Sequence, residues 1–244
     1  MIRDCRTIDN WALLFAQSLA IQYSVPLRVV YTLPPPPDEE PSEGEDGSPP
    51  NPTDMSLTKR HGIFLLEGLH VVSQELEAAK VPLDVLSPPS RGKVGETVYF
   101  HATTTHDALA IVTDMSPLRA PRQWTEKQSA HLFESSKIPM YQVDAHNIVP
   151  VWIASPKREV GARTLRPKIH NVFGGYCCTF PEFKGNAHLS EDAVPVLKGE
   201  HDWKGYKKFM KLDKSIELVS GMKAGHEAAM RRWKEFCSST QQGL

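Results

Sequence analysis

No stretch of 18 apolar residues occurs in this 244-residue chain, so no membrane-spanning helix is expected. The opening Met1-Ile2-Arg3-Asp4-Cys5-Arg6 carries charges with no apolar core behind it, which argues against a secretory leader. Cysteine is scarce: Cys5, Cys177, Cys178 and Cys237 show no Cys-x-x-Cys spacing and no framework of bridges. A reduced, soluble, intracellular protein, nuclear or cytoplasmic, is the simplest expectation. The ten histidines are scattered, with neither His-x-x-x-His nor paired-cysteine spacing, so no metal site is expected. A Gly-x-Ser-x-Gly elbow is also missing. Gly174-Gly175 and Gly44-x-x-Gly47 lack the strand and the glycine frame of a phosphate loop.

Net charge is nearly absent as well, at −1, but the balance is uneven. Residues 34 to 54 hold seven acids and no lysine or arginine, leaving 28 basic and 22 acidic side chains elsewhere. A mildly basic body with one acidic loop is compatible with a nucleic-acid partner and does not require one.

What is present reads as alternating helices and strands. Residues 9 to 24 predict a helix capped by Asp9 or Asn10, with Trp11, Leu14, Phe15 and Leu19 near one face. Pro26 to Leu33 is a β-branched run that reads as a buried strand. Pro34 to Pro52 then holds eight prolines, six acids and two glycines, and no large apolar residue. Such composition cannot offset its own ordering entropy, so residues 34–56 are expected to be a disordered insertion. The Pro34–Pro37 run reads as solvated linker, with a polyproline ligand as the lesser alternative.

Leu65, Leu69, Val72 and Leu76 step at helical spacing. Pro82 to Leu86 predicts a second strand, residues 92 to 106 a short helix, and Leu109 to Asp114 a third strand. Residues 121 to 136 predict another helix and Pro139 to Asp144 a fourth strand. Near-continuous apolar strands between helices predict the α/β class, a parallel sheet with helices on both faces. Ligands of such sheets sit beyond the carboxyl ends of the strands, here Thr32, Ser87, Asp114 and Asp144. Beyond residue 170, residues 171–224 read as linker, with a helix from about Gly225 to Cys237.

Three stretches resemble class II cyclobutane-pyrimidine-dimer photolyases. They are Arg3-Asp4-Cys5-Arg6 with Asp9-Asn10-Trp11-Ala12-Leu13-Leu14; Val112 to Arg119 with Arg122-Gln123-Trp124; and Gln142 to Trp152, continuing through Ala154-Ser155, Arg163-Thr164 and Arg166-Pro167-Lys168. With the helix around Leu65 to Leu69 they cover most of residues 2 to 170 in the family's order. Similarity from 200 to 240 is fainter. The resemblance implies a Rossmann-like amino-terminal domain (residues 1–170) that can hold a light-harvesting antenna, such as a deazaflavin. Residues 225–244 would begin a helical domain that binds FAD and the flipped-out dimer. In that family excited reduced FAD passes an electron to the dimer, the cyclobutane ring splits and the electron returns. An extruded dimer costs less to flip than normal bases. The acidic insertion departs from the pattern, and the flavin-binding helices would lie beyond Leu244. No catalytic residue is therefore carried over.

The resemblance and the strand-end rule together make Asp114, Ser116 and Arg119 candidates for the antenna site. A turn and capping pair for Asp114 and Ser116, or a structural ion pair for Arg119, stands beside that reading. Lys157, Arg158, Arg163, Arg166 and Lys168 are candidates for contacts with DNA phosphates, with a solvated face or an interdomain pairing as the alternative. Asp144, His146 and Asn147 are expected to pin the loop after the last strand, not to do chemistry. Trp11, Trp124 and Trp152 are expected in the core or at an interface. The expected partner is DNA containing pyrimidine dimers, bound by a monomer. The 244 residues alone are expected not to repair it. A free-standing Rossmann-like ligand-binding or regulatory protein derived from a photolyase is the alternative.

Overall fold

The computed structural model describes residues 4–36, 57–197 and 199–241. The expectation for the acidic, proline-rich segment falls almost wholly on residues 37–56, outside the described residues. The chain is of the α/β class, with short parallel strands between helices.

Helix α1 (Trp11–Tyr23) starts where Asn10 accepts the Leu13 N–H at 3.1 Å, so Asn10 is the N-cap. Its buried face is Ala12, Leu13, Leu14, Gln17 and Ala20, rotated from the aromatic face that the sequence suggests. Gln17 lies on that buried face. Its side chain accepts the N–H groups of Lys184 and Gly185 at 2.6 and 2.9 Å and donates to the Glu182 carbonyl at 3.2 Å. Strand β1 (Val29–Thr32) leads to α2 (Lys59–Ala78), which buries Gly62, Leu66, Leu69, Val72 and Leu76 at helical spacing. Strand β2 (Leu83–Leu86) returns parallel to β1, with Val29 opposite Leu83 and Thr32 opposite Leu86.

The next crossover departs from simple α-helix. Helix α3 (Val94–Phe100) runs into a π-helical turn at His101–Thr105. Strand β3 (Ile111–Asp114) follows. The helix after it has three parts: α4 (Arg119–Arg122), a π-helical stretch at Gln123–Ser129, and α5 (Ala130–Ser136). Gly95 lets α3 touch that stretch: a Cβ there would meet Gln128 Cβ at 2.4 Å and the Ser129 nitrogen at 2.8 Å. Strand β4 (Met140–Val143) pairs parallel with β3, Ile111 opposite Met140 and Asp114 opposite Val143.

The four strands form two parallel pairs, β1–β2 and β3–β4, where the sequence suggests one continuous ladder. A cavity of about 800 Å³ lies between the pairs, bounded by β1, β3, α1 and α3. The apolar core sits on the first pair: Leu13, Val29, Tyr31, Leu69, Leu76 and Leu83 belong to one buried cluster with Met210.

Met210 comes from the stretch read as linker. It ends α8 (Trp203–Phe209), which packs on α2. Asn186, fully buried, ties the same stretch to Leu27 and Lys80. Gly185 has φ +56°, and a Cβ there would stand 2.3 Å from the Ala79 carbonyl oxygen, so this close approach requires glycine.

After β4 come α6 (Val151–Ala154), α7 (Ala162–Tyr176) and, last, α9 (His226–Gln241). These helices leave large apolar groups in solvent: Trp152 is 53%, Trp233 58% and Phe236 61% exposed. No described helix is long and apolar enough to cross a membrane.

Candidate functional site

The apolar end of β3 delivers Asp114 into the interior. This carboxylate is buried, lines the cavity and accepts the Asp4 N–H at 3.3 Å. His146 stands beside it, Nε2 3.7 Å from Asp114 Oδ2 and Nδ1 3.3 Å from Asp4 Oδ2. Next to this group the Cys5 thiol and the Tyr31 hydroxyl hydrogen-bond each other. Burial pushes the Cys5 thiol up to about 11 and the Tyr31 hydroxyl well above its usual range. Both groups are therefore neutral at physiological pH.

The other two expected antenna residues are placed differently. Ser116 is buried and accepts the Leu118 N–H at 3.4 Å, which is the turn reading of that residue. Arg119 is exposed at the start of α4. Of the three, only Asp114 lines the cavity.

Asp144 is a hub for its own loop. It accepts the N–H groups of His146 and Asn147, both at 3.2 Å, the Asn147 side-chain amide, and the Val151 N–H at 2.9 Å. These bonds fix the loop and the start of α6, the structural role expected for it.

The basic candidates divide. Lys168 Nζ is held by Glu159 and by Ser155 Oγ, the latter at 3.0 Å. Hydrogen bonds from Lys168, Thr164 and Ser155 pull the Glu159 carboxyl down to about 2. Lys157, Arg158, Arg163 and Arg166 are exposed and make no ion pair among the described residues.

One cluster was not legible in the sequence. Asp84, fully buried on β2, meets Arg28 Nη1 at 2.9 Å, His101 Nε2 at 3.1 Å and His106 Nε2 at 3.4 Å, all at Oδ2. Asp84, His101 and His106 each offer one potential ligand atom, and these lie within 4.8 Å of one another. Arg28 and both histidines also line the cavity, on the side where the chain enters the strands.

The cavity is mostly aliphatic, with Val29, Val30, Ile111 and Val112 on its walls. Asp107, Asp114 and Asp192 also line it, and the Arg28 guanidinium in its wall is engaged by Asp84.

The family model described as DNA photolyase matches residues 1–183. The chain is 35% identical over 237 residues to the deoxyribodipyrimidine photo-lyase of Potorous tridactylus, covering 97% of this chain and 39% of that protein. It is 34% and 32% identical over 184 residues to the proteins of that name from Oryza sativa subsp. japonica and Arabidopsis thaliana, covering 75% of this chain and 32% of each of theirs. The chain thus spans about a third to two fifths of the length of these relatives, and it belongs to the DNA photolyase family.

Proposed function

We propose that this chain is the α/β part of a class II photolyase, serving light-driven repair of cyclobutane pyrimidine dimers in DNA. The observation that carries the reading is the match to a deoxyribodipyrimidine photo-lyase that spans 97% of the chain. The class II assignment rests on the run Gln142 to Trp152 and its continuation to Lys168.

In the complete enzyme reduced FAD supplies the electron that splits the cyclobutane ring. The residues of this chain do other work. The aliphatic cavity holds an antenna of the deazaflavin kind, with Asp114 as the buried polar group that orients it. Ser116 shapes the turn beside it, and Arg119 marks the outer edge of the site. Lys157, Arg158, Arg163 and Arg166 offer positive charge to phosphates beside the lesion. Exposed Trp152, Trp233 and Phe236 form apolar surface that a helical flavin domain would cover. That surface argues against the alternative, a free-standing ligand-binding or regulatory protein, which needs a polar face there.

On this reading the 244 residues do not repair DNA by themselves. The test is blue-light repair of a thymine-dimer oligonucleotide by the purified chain with reduced FAD, against a dark control. A parallel titration follows deazaflavin fluorescence. Saturable chromophore binding without repair supports the assignment. Light-dependent repair would place a flavin site among these residues and overturn it.

A further inference from the structure

We propose that Asp84, His101 and His106 form a binding site for a divalent transition metal of the zinc class. The inference stands on the cluster itself and is independent of the photolyase reading.

The local backbone explains the convergence. His101 opens the π-helical turn and His106 follows it directly. A π-helix closes i→i+5 hydrogen bonds, so residues five apart fall on one side. The two rings accordingly meet edge-to-face with centroids 4.6 Å apart. An α-helix would bring residues four apart together, so five-residue spacing carries no metal signature in a sequence. Asp84 reaches the same point from β2. An acid buried in a strand is costly unless it has charged or metal partners.

The donor set and the spacing suit zinc. Two imidazole nitrogens and one carboxylate make a three-ligand site with a position left for water. Ligands about 2.0–2.1 Å from a tetrahedral zinc ion lie about 3.3 Å apart. The Asp84 Oδ2 to His101 Nε2 and His106 Nε2 distances, 3.1 and 3.4 Å, fall on either side of that edge length. Both histidines line the cavity, which gives an ion and its water a route in.

Arg28 is the competing element. It already neutralises Asp84 at 2.9 Å, so two further nitrogens on the same oxygen are not needed for charge balance. Its guanidinium also repels a cation. This gives the proposal a signature that a structural hydrogen-bond hub lacks: removing Arg28 should improve metal binding while removing either histidine should weaken it.

The experiment titrates the chelator-stripped full chain with Zn²⁺ by calorimetry, and with Co²⁺ by visible absorption to report coordination geometry. Far-UV circular dichroism checks the fold of each variant. One Zn²⁺ per chain is expected. His101→Asn and His106→Asn should each weaken binding on the order of tenfold or more. Arg28→Gln should tighten it. No saturable Zn²⁺ binding by the wild-type chain, or binding that folded His101→Asn and His106→Asn variants leave unchanged, overturns the proposal. So does weaker binding in a folded Arg28→Gln chain.

Discussion

The side-chain amide of Asn186 makes a two-way hydrogen-bond pair with the backbone of Leu27, accepting its N–H at 2.7 Å and donating to its carbonyl at 3.0 Å. The amide also donates to the Lys80 carbonyl at 2.8 Å. One buried side chain thus joins the entry to β1, the exit of α2 and a segment about 160 residues away in sequence. Asn186→Ala would leave buried N–H and C=O groups without partners. The expected loss is about 2–4 kcal/mol, since each unsatisfied buried group costs about 1–3 kcal/mol and some will find water. Urea unfolding of the purified variant measures it. A midpoint equal to wild type would mean that the 182–186 segment does not hold the domain.

Thiol chemistry should sort the cysteines by environment. Cys177 and Cys178 are exposed, whereas Cys5 is partly buried beside Tyr31 and its thiol is pushed up to about 11. Only the thiolate attacks an alkylating reagent. At pH 8 iodoacetamide should modify Cys177 and Cys178 quickly and Cys5 only after denaturation, as read by peptide mass spectrometry. Fast labelling of native Cys5 would contradict its burial against Tyr31.

The strands were legible because their residues say so locally. Val29-Val30-Tyr31 and Ile111-Val112 are β-branched or aromatic runs with breakers on both sides, and all four expected strands are present, the first starting three residues later than expected and the other ends within two. Asn10 as a cap and the Leu69–Val72–Leu76 stripe are equally local patterns. What stayed hidden depends on contacts distant in the chain. Gln17 looks like a surface residue of an amphipathic helix until the 182–185 backbone arrives to bond it. Met210 and Asn186 lie in a stretch without periodicity, and their burial comes from α2 and β1, not from neighbours in sequence. The Asp84 cluster needs a π-helical turn that no propensity announces. Asp114 was found at the strand end, but the placement of Ser116 in a turn and of Arg119 in solvent depends on how β3 gives way to α4.

The connection between α6 and α7 should loosen in acid. Glu159 has its carboxyl lowered from 4.5 to about 2, chiefly by the Lys168 hydrogen bond and then by those of Thr164 and Ser155. A depressed carboxyl pKa stabilises the folded arrangement fully above 4.5, and that stabilisation disappears as pH falls from there toward 2. Hydrogen exchange in residues 155–168, corrected for intrinsic rates, should accelerate across this window. Lys168→Met should flatten the dependence by removing the main cause of the shift. An unchanged profile in that variant would show that Lys168 does not hold Glu159.

The basic run offers a sharper test of DNA contact because its members are unequal. Lys168 is engaged with Glu159 and Ser155, whereas Arg163 and Arg166 are exposed with no ion pair among the described residues. Each phosphate contact releases counterion, so the plot of log affinity against log salt steepens by about 0.9 per contact on duplex DNA. If both arginines touch phosphates, Arg163→Ala with Arg166→Ala should make the slope shallower by nearly two such increments. Affinity should fall by a similar factor for damaged and undamaged duplexes, because phosphate contacts carry no sequence or lesion information. Lys168→Met should change the slope little, since its ammonium already has a carboxylate partner. Fluorescence anisotropy of a labelled duplex from low to moderate salt measures all three chains. If the double variant keeps the wild-type slope, these arginines belong to a solvated face. If Lys168→Met alone moves it, the Glu159 pair opens on DNA and the charge that matters is the one the free protein keeps occupied.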